Sequence, residues 1–412
     1  MNLEINKDQF LKILIYILPA ALISGPLISD GIVIIISLFV INEIITRKKY
    51  FLFKNKIILL FLLFVFILCI SSFLSDNPMV SLKSSFLYIR FGLFILGTIY
   101  ILENVDKNFY KFFFYIIFIT IICLLFFATI EFFYIDLPFM DHQRVDSKRV
   151  SSFFGDEKIM GSYLLKILPL TLYLMFKINI RIEYIFLLFL IFIYGILISG
   201  ERTSLILSLI LGFLLFFINY NWKKKFLFLG IFIILLILIL MNSEVLSQRL
   251  IFETYQDIMV DNHLYNNFNI FSTGHTYYFI SSINMFLSNN IIGIGPNLFR
   301  EVCAYQEYNL GKGIISCSTH PHNFYFQLLA ETGLLGFLFL FSFFLYLSFK
   351  ILRFLFKKDL FENYKYCLLL SIFISIFPIS SHGNFFNNWN SISIFLPLAF
   401  FIKEFNLITF KK

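Results

Sequence analysis

Residues 57–74 read IILLFLLFVFILCISSFL, with Lys54 and Lys56 before them and Ser75-Asp76 after. No charge interrupts the run. As an α-helix it rises ~27 Å at about 1.5 Å per residue, close to the ~30 Å thickness of a bilayer's hydrocarbon. Comparable runs recur near 9–28, 30–46, 86–102, 112–133, 160–178, 184–200, 203–219, 226–241, 333–352, 366–380 and 391–402. The pattern predicts an all-α, polytopic membrane protein with about twelve transmembrane helices.

Composition agrees. The 412 residues are 59% hydrophobic and 14% charged, and Phe alone occurs 59 times. An ordinary soluble domain is roughly 45–50% apolar and about 25% charged. A solvated enzyme or a DNA-binding module is excluded, because no soluble core could hide that much apolar surface. The net charge of +8 reflects Lys and Arg gathered in cytoplasmic loops, not a nucleic-acid partner.

With the N-terminus in the cytoplasm, the inner loops collect Arg47, Lys48, Lys49, Lys54 and Lys56, then Lys107, Lys111, Lys177 and Arg181. Lys223, Lys224 and Lys225, Lys350 to Lys365, and Lys403, Lys411 and Lys412 follow on the same side. The outer segments keep fewer cations: Lys83, Arg144, Lys148, Arg149, Lys158, Arg202, Arg249, Arg300 and Lys312. Glu4 and Asp8, with no clean cleavage site after them, make the first run an uncleaved span. Residues 1–241 then hold nine spans, 242–332 a large periplasmic loop and 333–412 three more spans. A smaller outer loop covers 134–159.

Cys69, Cys123 and Cys367 fall in apolar runs as packing residues. Cys303 and Cys317 share the large outer loop. A disulfide there would close a loop of about 15 residues, worth ~3 kcal/mol. Spacing leaves a bond and two free thiols equally open.

The outer polar residues cluster: Arg144, Arg149, Arg202, His275, Arg300, His320, His322 and His382, with few carboxylates. Guanidinium groups grip phosphate in a fork. Arg202 lies in Ser199-Gly200-Glu201-Arg202-Thr203-Ser204, either as an anion clamp or as a snorkelling side chain paired with Glu201. In His320-Pro321-His322-Asn323, Pro321 suits the entry to a helix over 324–331 that stops near Gly333. His322 then stands at the outer rim, where an imidazole can take a proton near neutral pH. Two histidines two apart also suit a metal, but no Asp/Glu/Cys set at ligand spacing joins them. Arg149 and Ser151-Ser152-Phe153-Phe154-Gly155-Asp156-Glu157 open the sixth span. Arg90 and Lys166 are charges within or near spans. In Ser380-Ser381-His382-Gly383-Asn384-Phe385-Phe386-Asn387-Asn388-Trp389-Asn390, amides and rings suit either sugar binding or an interfacial belt turn. There is no P-loop GxxxxGK[ST] and no HExxH, so an enzyme here would take an activated substrate from the membrane.

The stretch from His320-Pro321-His322-Asn323 through Glu331-Thr332-Gly333 to Gly336 resembles the signature of the O-antigen ligase/polymerase superfamily. Three further pieces fit in order: Arg149 to Gly161, Ser199-Gly200-Glu201-Arg202-Thr203, and Ile291-Ile292-Gly293-Ile294-Gly295-Pro296-Asn297-Leu298-Phe299. The Phe385-Phe386-Asn387-Asn388-Trp389 turn is similar to that of some members, so the resemblance spans roughly 145–400. It implies a GT-C-like, metal-independent, inverting glycosyltransferase of the bacterial inner membrane, with no cofactor. Its members draw a glycan from undecaprenyl diphosphate at the periplasmic face and pass it to lipid A–core (ligases) or to a second lipid-linked repeat (polymerases). Carried over, His322 is the general base, and Arg202, helped by Arg149, binds the pyrophosphate. His275 stands where many members have Arg or Lys, so either it shares the phosphate role or Arg300 supplies it. His320, Asn323, Glu331, Asn388 and Trp389 orient loops or the acceptor. The rival readings are a Wzy-type polymerase of O-antigen or capsule repeats and a transporter of lipid-linked glycan. The outer-rim position of the polar residues favours surface catalysis over transport.

Overall fold

The computed structural model describes residues 7–133, 149–217, 243–259, 271–309, 316–355 and 364–410, with parts of 230–241. Among the described residues every regular element is helical. The main ones are α1 Lys7–Ala21, α2 Pro26–Thr46, α3 Lys56–Phe73, α4 Pro78–Leu87, α5 Ile89–Glu103 and α6 Lys107–Phe133. They continue as α7 Met160–Lys177, α8 Ile182–Ile198, α9 Arg202–Gly212, α10 Thr273–Ser288, α11 Phe324–Leu355, α12 Lys365–Ser375 and α13 Asn388–Glu404.

Pro26–Thr46, Lys56–Phe73, Pro78–Glu103, Lys107–Phe133 and Phe324–Leu355 are long and apolar enough to cross a membrane, and α8, α12 and Arg202–Leu215 are shorter apolar helices. This is the architecture of a membrane protein. The expected ninth span at 226–241 lies largely outside the described residues, as do Arg144, Lys148, Lys223 to Lys225, Lys312, Lys357 and Lys358.

Two boundaries move from where the apolar runs put them. The expected break between 28 and 30 falls earlier, at Gly25 with φ 111°, and Pro26 opens α2. Proline suits that first position, because its missing N–H would have had no partner there. The run expected at 86–102 belongs to a longer helical stretch that begins at Pro78.

The chain forms two compact units. The first comprises Met1–Ile32, Asn104–Tyr255 and Lys350–Ser375. Its centre is α7, buried along nearly its whole length and packed by α6, α8 and α12. On α6, Phe112, Ile119, Phe126 and Phe133 recur every seven residues, each about 60% exposed. That spacing puts them on one helix face. An apolar stripe of this size needs lipid, not water, against it.

The second unit comprises Val33–Glu103, Gln256–Phe349 and Ile376–Lys412. Here α5 packs along α13, and α3 packs on α4. Met285, Ile294, Leu298, Phe299, Cys303 and Ala330 form a small buried core. Cys303 and Cys317 are disulfide-bonded, with Cα atoms 5.0 Å apart. The helix α11 breaks at Gly333, where φ is 61° and ψ −157°, at the stop expected from the sequence.

Candidate functional site

The His320–Asn323 loop is held on both sides. Asn323 caps the helix that follows: its Oδ1 accepts the N–H groups of Tyr325 and Phe326 at 2.9 and 3.3 Å, satisfying donors that a helix start otherwise leaves open. Its Nδ2 donates to the carbonyls of Pro378 and Ser380. The His382 N–H donates to the His322 carbonyl at 2.8 Å, and the His382 ring stacks on Phe324 at 4.0 Å. The His320–Asn323 and Ser380–Asn390 motifs found in the sequence are therefore one structure in the second unit.

His322 has φ 57°, a left-handed backbone that costs a non-glycine residue ~1–2 kcal/mol. The loop bonds hold it there. Its Nε2 lies 3.2 Å from Ser318 Oγ. The ring packs against His320 at 4.2 Å, His275 at 5.5 Å and Tyr278 at 5.7 Å. His275 sits in the first turn of α10, its Nδ1 2.7 Å from Ser272 Oγ.

His320 is engaged at both nitrogens. Nε2 faces the His382 carbonyl at 3.2 Å, so that nitrogen carries the proton, and Nδ1 lies 2.8 Å from Thr319 Oγ1. Burial lowers the pKa of His320 to about 4, with the Arg300 and His275 charges adding to the fall. Burial lowers His322 to about 3, reinforced by His320 and His275. Both rings are neutral at pH 7, and His322 is a proton acceptor, not an imidazolium.

Glu331 is 1% exposed and faces inward. Its Oε1 accepts the Phe299 N–H at 3.0 Å, and its Oε2 accepts from Gln327 at 3.0 Å. Gln327 bonds Asn384 and the Phe385 N–H, and Asn384 bonds Asn297, whose Oδ1 also accepts from Arg300. Glu331 thus ties the Gly293–Phe299 loop to the helix carrying the histidine motif. Asn384 stood in the sequence reading among the amides of the 380–390 turn, and here it bonds protein amides; Gln327 and Asn297 were given no role from sequence, although amides inside such an apolar chain are the signal that could have found them. Asn388 accepts from the Arg90 guanidinium. The Trp389 N–H bonds Asn387 at the start of α13.

Arg149 and Arg202 lie in the first unit, around Glu201. The Glu201 carboxylate accepts from the N–H groups of Gly161 and Ser162 at 2.7 and 2.9 Å, and from the hydroxyls of Ser162 and Ser204. It caps the start of α7, favourably placed against the helix dipole. Arg149 Nη2 lies 4.0 Å from Glu201 and donates to the Lys158 carbonyl. Arg202 bonds Thr254 at 3.2 Å and lies 3.9 Å from Glu253, which also pairs with Arg249 at 3.2 Å. Arg249 Nε donates to the Gly200 carbonyl. Three guanidinium groups surround two carboxylates, a charge balance suited to an anion. Among the described residues no group of three or more His, Cys, Asp or Glu could hold a metal.

Residues 187–341 match the family model Wzy_C, described as O-antigen ligase. The matched region contains Arg202, His275, Gly293, His320, His322 and Glu331, and the match supports membership of the O-antigen ligase/polymerase superfamily. No curated protein matches this chain.

Proposed function

We propose that this protein is an O-antigen ligase-type glycosyltransferase. It moves a glycan from undecaprenyl diphosphate to lipid A–core at the periplasmic face of the inner membrane, without metal or cofactor. The observation that carries the reading is His322: a neutral imidazole, strained into place, at the entry of α11 inside the family-matched region.

The acceptor hydroxyl attacks the anomeric carbon as the bond to the diphosphate breaks, giving one in-line displacement and inversion. With Nε2–H donating to Ser318, Nδ1 of His322 takes the hydroxyl proton. A base of lowered pKa suffices, because the hydroxyl becomes acidic as its oxygen bonds to carbon. The lipid diphosphate departs as an anion, and guanidinium groups stabilise that charge. The reading assigns Arg202 and Arg149 to it, with His275 sharing that role beside the histidine loop. His320, with both nitrogens engaged, orients the loop, as do Asn323 and Glu331. Asn388 and Trp389 serve the acceptor side.

The test incubates purified protein, without added metal, with an undecaprenyl-diphosphate-linked glycan and lipid A–core, separating products on a gel. Glycan on lipid A–core supports the ligase. Longer lipid-linked glycans instead would make it a polymerase of repeats. Neither product from folded protein and a matched donor would return the reading to transport.

A further inference from the structure

A cavity of about 670 Å³ opens in the second unit beside α4, and Asn297, Arg300 and Asn388 form part of its wall. Three cationic side chains line it, Lys83, Arg90 and Arg300, against one carboxylate, Glu301. Asn388 holds Arg90 and Asn297 holds Arg300, each through a neutral amide oxygen that fixes the fork without neutralising it. Met79, Val80 and Leu87, at helical spacing from Lys83 on the same face of α4, also line it and are 81%, 40% and 44% exposed. On a helical stretch apolar enough to cross a membrane, that side faces lipid. The cavity therefore combines anion recognition with access from the bilayer.

It also adjoins the histidine loop. Asn297 bonds Asn384 at 2.9 Å, two residues from His382, whose N–H holds the His322 carbonyl. The charge of Arg300 acts on the His320 ring, which packs on His322 at 4.2 Å.

We propose that the cavity is the acceptor subsite, and that it selects a lipid-borne glycan carrying an oxyanion, a phosphate ester or carboxylate, gripped by Lys83, Arg90 and Arg300. The assignment rests on the reading of His322 as the base. Lys83 is the specificity residue easiest to isolate, because it is exposed on α4 and its replacement leaves the core untouched.

The experiment measures binding to the full chain in nanodiscs with three probes: an alkyl disaccharide bearing one phosphate monoester, its neutral parent, and inorganic phosphate. The expected result is that the phosphorylated glycolipid binds roughly tenfold or more tighter than the neutral one. Lys83→Glu and Arg300→Ala each abolish that preference, and His322→Ala keeps it. Equal binding of the two glycolipids, or a preference unchanged in Lys83→Glu, would overturn the proposal. So would inorganic phosphate binding as tightly as the phosphorylated glycolipid, which would make the cavity a free-phosphate site. Selective binding by a protein that transfers no glycan would contradict the transferase reading and leave the cavity's ligand class standing.

Discussion

Gly293 and Gly333 stand back to back: a Cβ on Gly293 would overlap the Glu331–Thr332 peptide and the Gly333 nitrogen, and one on Gly333 would overlap the Ile291 carbonyl. Both have positive φ, 70° and 61°. The crossing is closed by N–H bonds from Ile294 to Ala330, Gly295 to Glu331 and Leu334 to Asn290. Ser71 on α3 fastens the same place through the carbonyls of Ile292 and Glu331. This contact sets where the histidine helix ends and where Asn297 and Arg300 begin.

Gly293→Ala and Gly333→Ala should each destabilise the protein by at least ~2 kcal/mol. Gly274→Ala on α10, whose Cβ would touch the Tyr278 hydroxyl at an ordinary 4.0 Å, should hold or gain stability, since alanine favours a helix. Thermal melts in detergent compare the three.

Glu201→Ala should cost ~2–4 kcal/mol, because it strands the buried N–H groups of Gly161 and Ser162. Glu201→Gln, which keeps an oxygen acceptor, should cost less. A Glu201→Ala melt equal to that of the wild type would mean that the cap contributes nothing.

Opening the Cys303–Cys317 bond should lower stability by ~3 kcal/mol, as expected for a 14-residue separation. The bond also seats Cys303, fully buried, in the core with Phe299 and Ala330. Melts with and without reductant, beside a double serine variant, measure it. Identical curves would show that the core alone holds the loop.

The activity of a neutral His322 should be level from pH 8 down past the ordinary histidine value of 6.5, because its own pKa is lowered to about 3. Stability runs in the matching direction. Below pH 6.5 an unfolded chain binds protons that His320 and His322 refuse when folded, so Tm should fall on acidification from 6.5 toward 4. A kcat/KM profile with an acid limb centred on 6.5 would contradict the burial of the ring.

Much of this was legible in the sequence because it is local. Runs of apolar residues declare helices, and Pro321 and Gly333 mark the beginning and end of the one bearing the motif. What was hidden depends on distant segments meeting. His320 meets His382 across 62 residues, and Arg90 meets Asn388 across 298. Nothing in either stretch alone announces its partner. In one of two sequence readings Glu201 was a counter-ion for Arg202; folded, it caps a helix that begins about forty residues earlier. The break at Gly25 was legible in Ser24-Gly25-Pro26, a turn signal that the expected break between 28 and 30 passed over.

The most direct test of the account is the glycan-transfer rate of His322→Ala relative to wild type, at saturating donor and acceptor, in protein of unchanged melting temperature. Loss of a general base predicts a fall of roughly 10²–10⁴-fold. A variant that transfers glycan within a few-fold of the wild-type rate would contradict the assignment of His322 as the base.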